Sequence, residues 1–196
     1  KKHFDLLRLT NGNYEILGAD LLEPGRYHQL RLIVSGQESY VVEGGEERTL
    51  VIPSGEQTGV KLPIDIEITE DSHYVLLLDF DAERSLVRPG SGGQPADFLL
   101  KPVIRTTHLA EAGHISGVVS PAGSRAVVYA ISGQDTLSTT YADLESGEFV
   151  LFGLKEGVVQ VSVQPREEAY RESLLDDVTV KPGETTDLGL IELEEK

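Results

Sequence analysis

Asp79, Asp81 and Glu83 alternate at the end of an apolar run, so on a strand their three carboxylates share one face. Carboxylates at that spacing can collect a hard cation such as calcium. The helix-loop calcium motif does not fit. Counted from Asp79, the sixth position is Arg84 where glycine is needed, and the twelfth is Gly90 where glutamate is needed. The same acids suit a strand end at which they pair with Arg84, Arg88 or Lys101, or cap the following turn, because half-buried acids are held by partners. That structural role is the one expected, with no metal bound.

Arg26, Tyr27, His28, Gln29 and Arg31 form the densest aromatic and hydrogen-bonding group on one segment. An exposed strand carrying Tyr, Gln and Arg can bind a sugar or a peptide, and Arg26, Tyr27, Gln29 and Arg31 would then contact the ligand. Equally, Tyr27 packs at a sheet edge while Arg31 pairs with Asp79 or Asp81. The structural pairing is expected here too.

His108, Glu111 and His114 place three metal-ligating side chains within seven residues. A zinc site wants them on a rigid element with a fourth group nearby. The small, polar segment that holds them offers neither, so they read as solvent-exposed linker histidines. A serine nucleophile needs an elbow such as Gly-x-Ser-x-Gly, which is absent; Ser54 and Ser91 sit beside glycine as turn residues do. The loop from Arg88 to Pro95 lacks the Lys-Ser/Thr of a phosphate cradle and reads as a surface loop. No catalytic residue and no cofactor are expected.

Composition narrows the partners. The chain of 196 residues carries 17 basic and 33 acidic side chains, a formal charge of −16, which disfavours nucleic acid and anionic membrane surfaces. There is no cysteine, which removes disulfide scaffolds, cysteine zinc sites and covalent haem attachment. No apolar run approaches the ~18 residues of a membrane span. The chain opens on Lys1 rather than Met, as expected of a processed form or a fragment.

The elements that must position these side chains are strands almost throughout. From Val60 to Ile68 every even residue is aliphatic and every odd one is polar or proline, the period of a half-buried strand. Pro63 has no amide hydrogen, so this strand should lie at an edge or bulge there. Leu30, Leu32 and Val34 repeat the pattern within Tyr27–Val34. Tyr40–Glu43 and Thr49–Ile52 flank Gly44-Gly45, predicting a hairpin with a loop longer than two residues. Tyr74–Phe80 is apolar on both faces, as a central strand would be, and Phe98–Ile104 is an apolar run interrupted by Pro102. Tyr14, Leu17, Leu21 and Leu22 predict one short helical turn before Pro24-Gly25.

A boundary falls at 108–113. Beyond it, seven short strands are predicted at Ile115–Val119, Ala126–Ile131, Leu137–Ala142, Phe149–Phe152, Val158–Val163, Asp177–Val180 and Leu188–Leu193, with Gly- and Pro-bearing turns between them. This is the pattern of a β-sandwich. The fold class is therefore all-β, two β-sandwich domains in tandem: 1–107, a connector at 108–113, and 114–196.

The second half, through Ile115–Val119, Ala126–Ala130, Gly147–Gly157 and Val178–Thr185, resembles a carboxypeptidase regulatory-like domain, a seven-stranded prealbumin-like sandwich. Its central pattern is G-x-F-x-[LF]-x-G-L-x-x-G, in which Phe149 and Leu151 point inward and Gly153 and Gly157 take positive φ. The first half, through Phe4–Gly12, Gly25–Leu32, Pro53–Leu62, Leu78–Ser85 and Leu100–Arg105, resembles the bacterial lipoprotein domain of unknown function 4382. Members of that family begin with a further strand ahead of Asp-Leu-Leu, so an incomplete sandwich edge is expected.

The two resemblances imply a non-enzymatic bacterial protein, exported and lipid-anchored at the outer membrane or cell surface. It would act as a binding, adhesion or assembly module toward a protein or glycan, and would meet the membrane only through a lipid outside this chain. An accessory role in polysaccharide or nutrient capture is the alternative, and a hydrolase of unknown type a lesser one.

Overall fold

The computed structural model describes residues 2–35, 38–53, 59–89 and 97–196. Ser54, Ser91 and most of the predicted loop from Arg88 to Pro95 lie outside them. Two compact units emerge. One comprises Asp20–Tyr74 and Leu78–Thr106; the other comprises Lys1–Ala19, Val75–Leu77 and Thr107–Lys196.

The chain is all-β, as its patterning predicts. Eight strands precede the boundary region: β1 (Gly25–Leu32), β2 (Tyr40–Glu43), β3 (Glu46–Val51), β4 (Val60–Ile68), β5 (Leu76–Phe80), β6 (Leu86–Val87), β7 (Phe98–Leu100) and β8 (Ile104–His108). They form three small sheets, β1-β4, β2-β3-β7-β6 and β5-β8. Along β4 the odd residues are exposed, while Leu62 and Ile66 are buried. Opposite it, three steps of β1 from Tyr27 to Leu30 match four steps of β4 from Ile66 to Leu62. The register shift therefore falls where Pro63 cannot donate to the ladder.

Two local expectations are corrected. Glu43 pairs with Glu46, so the β2–β3 hairpin closes on Gly44-Gly45 alone. Both glycines take positive φ, 61° and 84°, as the tightest hairpin turn requires. Asn13–Leu22 forms no helical turn and runs without regular structure. Gly18 interrupts it, and its apolar residues stay exposed, so no buried face rewards winding. The single α-helical turn among the described residues, α1 (Ala82–Ser85), instead follows Asp81, whose side chain caps it. β5 is half-buried at every residue and pairs with β8 alone among the described strands, so it is not the covered central strand its sequence suggests.

The second unit holds the seven-stranded sandwich. Its strands are β9 (Ala112–Ser120), β10 (Val127–Ser132), β11 (Asp135–Tyr141), β12 (Glu148–Lys155), β13 (Gly157–Gln164), β14 (Ser173–Val180) and β15 (Thr185–Glu192). One sheet runs β11-β10-β13-β14, the other β12-β9-β15, with β15 parallel to β9. Ile115, Val119, Val128, Phe149, Leu151, Val161, Val163 and Val180 are wholly buried between them. Each such side chain contributes about 1.5–3 kcal/mol on leaving water. Gly117 lets this core close: a Cβ there would sit 2.9 Å from the Phe149 ring. Gly153 and Gly157 take φ of 79° and 156°, the positive values predicted for them.

Residues 108–113, expected as a short connector, carry regular structure. They finish β8, form a 3-10 turn at Leu109–Glu111 and begin β9. Residues 2–19 group with this sandwich because Asn11 is hydrogen-bonded into it and Tyr14 stacks on Phe152 at 6.2 Å.

Candidate functional site

Asp79 and Asp81 close the end of β5 around one guanidinium. Arg105 Nη1 lies 3.1 Å from Asp79 Oδ2, and Nη2 lies 3.1 Å from Asp81 Oδ2. The Asp81 side chain is 1% exposed. Its other oxygen accepts the Arg84 amide hydrogen at 3.0 Å, fixing the start of α1. Its own amide donates to Val103 O at 3.0 Å. The acids thus have the structural role foreseen, including the turn cap, but the base differs. Arg31 is corrected as their partner: it sits on β1 opposite Lys61, whereas Arg105 enters from β8, the strand paired with β5. Glu83 follows inside α1, so its carboxylate leaves the alternating strand face that the sequence suggested. Among the described residues no group of three or more His, Cys, Asp or Glu is placed to hold a metal ion.

The histidines are likewise placed by strands. His114, on β9, lies parallel to the Phe152 ring at 4.0 Å, and its Nδ1 accepts the Gly153 amide hydrogen at 3.2 Å. Burial pushes its pKa below the usual histidine value. His108 lies 3.5 Å from Glu111 with only 20% of its side chain exposed. Neither is a solvent-exposed linker residue. The small residues Ala112 and Gly113 hid the start of β9.

The residues foreseen as ligand contacts come together on the β1–β4 ribbon. Arg26, His28, Gln29 and Arg31 are exposed, and Tyr27 is half-buried with its hydroxyl donating to Glu23 O at 2.9 Å. Arg26 forks onto Asp65 with two hydrogen bonds of 2.7 Å. That contact raises the arginine pKa and holds the Asp65 carboxyl below its usual range. His28 lies 3.6 Å from the same carboxylate. The Arg26 end of the ribbon is therefore neutralised by its own strands.

The other end is not. Arg31 pairs directly across from Lys61, both exposed, with Gln29 two register steps away opposite Pro63. Neither cation forms an ion pair among the described residues. Side chains directly opposite in an antiparallel pair have Cβ atoms about 4.5–5.5 Å apart, and like charges at that distance repel. Lys61 was not foreseen as a site residue. Its outward odd position was visible in the alternation, but only the register sets it against Arg31.

An all-β chain in two units, one with a small ribbon carrying opposed cations and one a seven-stranded sandwich, is the class of protein this defines. A family model described as Domain of unknown function (DUF4382) matches residues 1–102, and the chain belongs to that family. No curated protein matches it. Among solved structures it is similar to a minor pilin of the Gram-positive pathogen Streptococcus agalactiae, at 12% identity over 89% of this chain and 84% of that one, with a TM-score of 0.33. Among the described residues no helix is long and apolar enough to cross a membrane.

Proposed function

We propose that the chain is a non-enzymatic binding module of a bacterial cell-surface lipoprotein, and that its β1–β4 ribbon takes a glycan bearing carboxylate or sulfate groups. The observation that carries this reading is the exposed Arg31–Lys61 pair, two cationic residues directly opposite in the strand register. An anion seated between them removes the repulsion, and guanidinium pairs with carboxylate or sulfate through two parallel hydrogen bonds. Gln29 adds amide donors and acceptors for sugar hydroxyls. The net charge of −16 repels a polyanion only at long range. Screening to about 10 Å at 0.1 M salt leaves the contact itself attractive.

Export and lipid anchoring are what the family resemblance implies. The seven strands in sheets of four and three, together with the Gly147–Gly157 motif, support a carboxypeptidase regulatory-like assignment for the second sandwich. That sandwich serves as a rigid carrier.

The test is an array of neutral, uronate-bearing and sulfated glycans probed with the chain and with an Arg31→Ala, Lys61→Ala double variant. Retention of acidic glycans by the parent, lost in a variant of unchanged melting temperature, is the expected result. Equal retention by both would overturn the assignment of the ribbon, and turnover of a glycan in a hydrolase panel would overturn the non-enzymatic reading.

A further inference from the structure

The chain has two asparagines, Asn11 and Asn13, and Asn11 precedes Gly12. Asn11 belongs to the N-terminal segment, yet its side-chain amide is hydrogen-bonded to the sandwich. Its Nδ2 donates to Tyr141 O on β11 at 3.2 Å. Its Oδ1 accepts the Thr140 hydroxyl hydrogen at 2.9 Å and the Val150 amide hydrogen of β12 at 3.0 Å. One side-chain amide thus stands in for a backbone peptide between β11 and β12, strands at the margins of the two sheets. Thr140 is 3% exposed, so removing this amide strands buried polar groups. Asn11 is in the left-handed region at φ 53°, followed by Gly12 at φ 80°.

We propose that Asn11-Gly12 is a fold-protected deamidation site, whose conversion releases the N-terminal segment from the sandwich. The Gly12 amide nitrogen attacks Asn11 Cγ; the N–Cγ bond forms, the Cγ–Nδ2 bond breaks, and ammonia leaves with the displaced proton. Water then opens the five-membered imide at either carbonyl, leaving aspartate or an isoaspartyl linkage. No oxidant or other reactant is needed. Gly12 has no Cβ to shield its nitrogen, which favours the ring closure.

In the folded chain the Asn11 amide must leave all three partners before it can turn on Gly12. The reaction therefore proceeds through local opening of the segment. Once formed, a carboxylate at position 11 can still accept from Val150 and Thr140. It has no hydrogen for the Tyr141 carbonyl and places a negative charge against it. The isoaspartyl form also lengthens the backbone by one bond, which the Asn11-Gly12 turn cannot absorb without shifting the amide.

The intact chain is incubated at mildly alkaline pH and physiological temperature, folded and in denaturant, and the one-dalton mass gain is mapped by peptide. Asn13, followed by bulky Tyr14, is the internal reference. In denaturant Asn11 should convert faster than Asn13. In the folded chain it should slow about tenfold or more, as three hydrogen bonds of ordinary net strength require. Asn11→Asp should melt about 2–4 °C lower, if losing one bond costs about 1 kcal/mol in a chain of this size. If Asn11→Asp does not fold, chain deamidated in place gives the same comparison. Equal Asn11 rates in the folded and denatured chain, or a deamidated chain that melts as the parent does, would overturn the proposal.

Discussion

The Ser85 hydroxyl oxygen accepts the Val103 amide hydrogen at 2.8 Å, from a side chain with no exposed surface. The Ser85 carbonyl accepts the Lys101 amide hydrogen at 2.8 Å, so one residue of α1 satisfies both sides of Pro102. Proline has no amide hydrogen and breaks the apolar run into β7 and β8; Ser85 occupies the gap. Ser85→Ala leaves the amide of the half-buried Val103 without this acceptor. It should lower unfolding stability by about 1–3 kcal/mol. Urea titration measures this, and an unchanged midpoint would count against the arrangement.

Asp81→Asn keeps an oxygen for the Arg84 amide but removes the charge that faces Arg105. The expected loss is about 1–3 kcal/mol, as for a buried, charged hydrogen bond. Calcium or a chelator should leave the melting temperature of the parent chain unchanged. A cation bound only by the folded state at 100 times its dissociation constant would instead add about 2.7 kcal/mol. A calcium-dependent rise abolished by Asp81→Asn would make these acids a metal site.

Period-two patterning made the strands legible because burial on one face is local information. Val60–Ile68 and Tyr40–Glu43 match β4 and β2 residue for residue. What the patterning could not carry was pairing. Arg31 and Arg105 are both strand arginines, and only the β5–β8 pairing distinguishes them. Lys61 was visible as outward-facing, but its place against Arg31 depends on a register shifted by the irregularity near Pro63. Asn11 was illegible for the same reason, with partners 129 to 139 positions away. The α1 turn did leave a local signal, an aspartate ahead of Ala-Glu-Arg-Ser.

His114 should make the second sandwich sensitive to mild acid. Burial lowers its folded pKa, so between that value and the ordinary one near 6.5 the unfolded chain binds the extra proton. Its contribution to stability is therefore fully present above about 6.5, and is lost as pH falls through the folded pKa. Protonation also puts a hydrogen on Nδ1, which the Gly153 amide then cannot use. Melting temperatures should fall as pH drops below about 6.5, before most carboxylates titrate. His114→Gln keeps an acceptor without a titrating group and should flatten that limb. An equal slope in the variant would exclude His114 as its origin.

Arg31→Glu separates stability from binding on the ribbon. Opposite Lys61 it replaces a like-charged cross-strand pair with an oppositely charged one. Such a change is worth about 0.2–1 kcal/mol in favour of the folded chain, at the lower end for so exposed a position. Raised salt should shrink the gain, because screening weakens both the original repulsion and the new attraction. The same substitution places a carboxylate where the acidic glycan would sit, so retention on the array should vanish while the melting temperature holds or rises. A variant that lost stability and still retained acidic glycans would show that Arg31 serves the ribbon's packing and not its ligand.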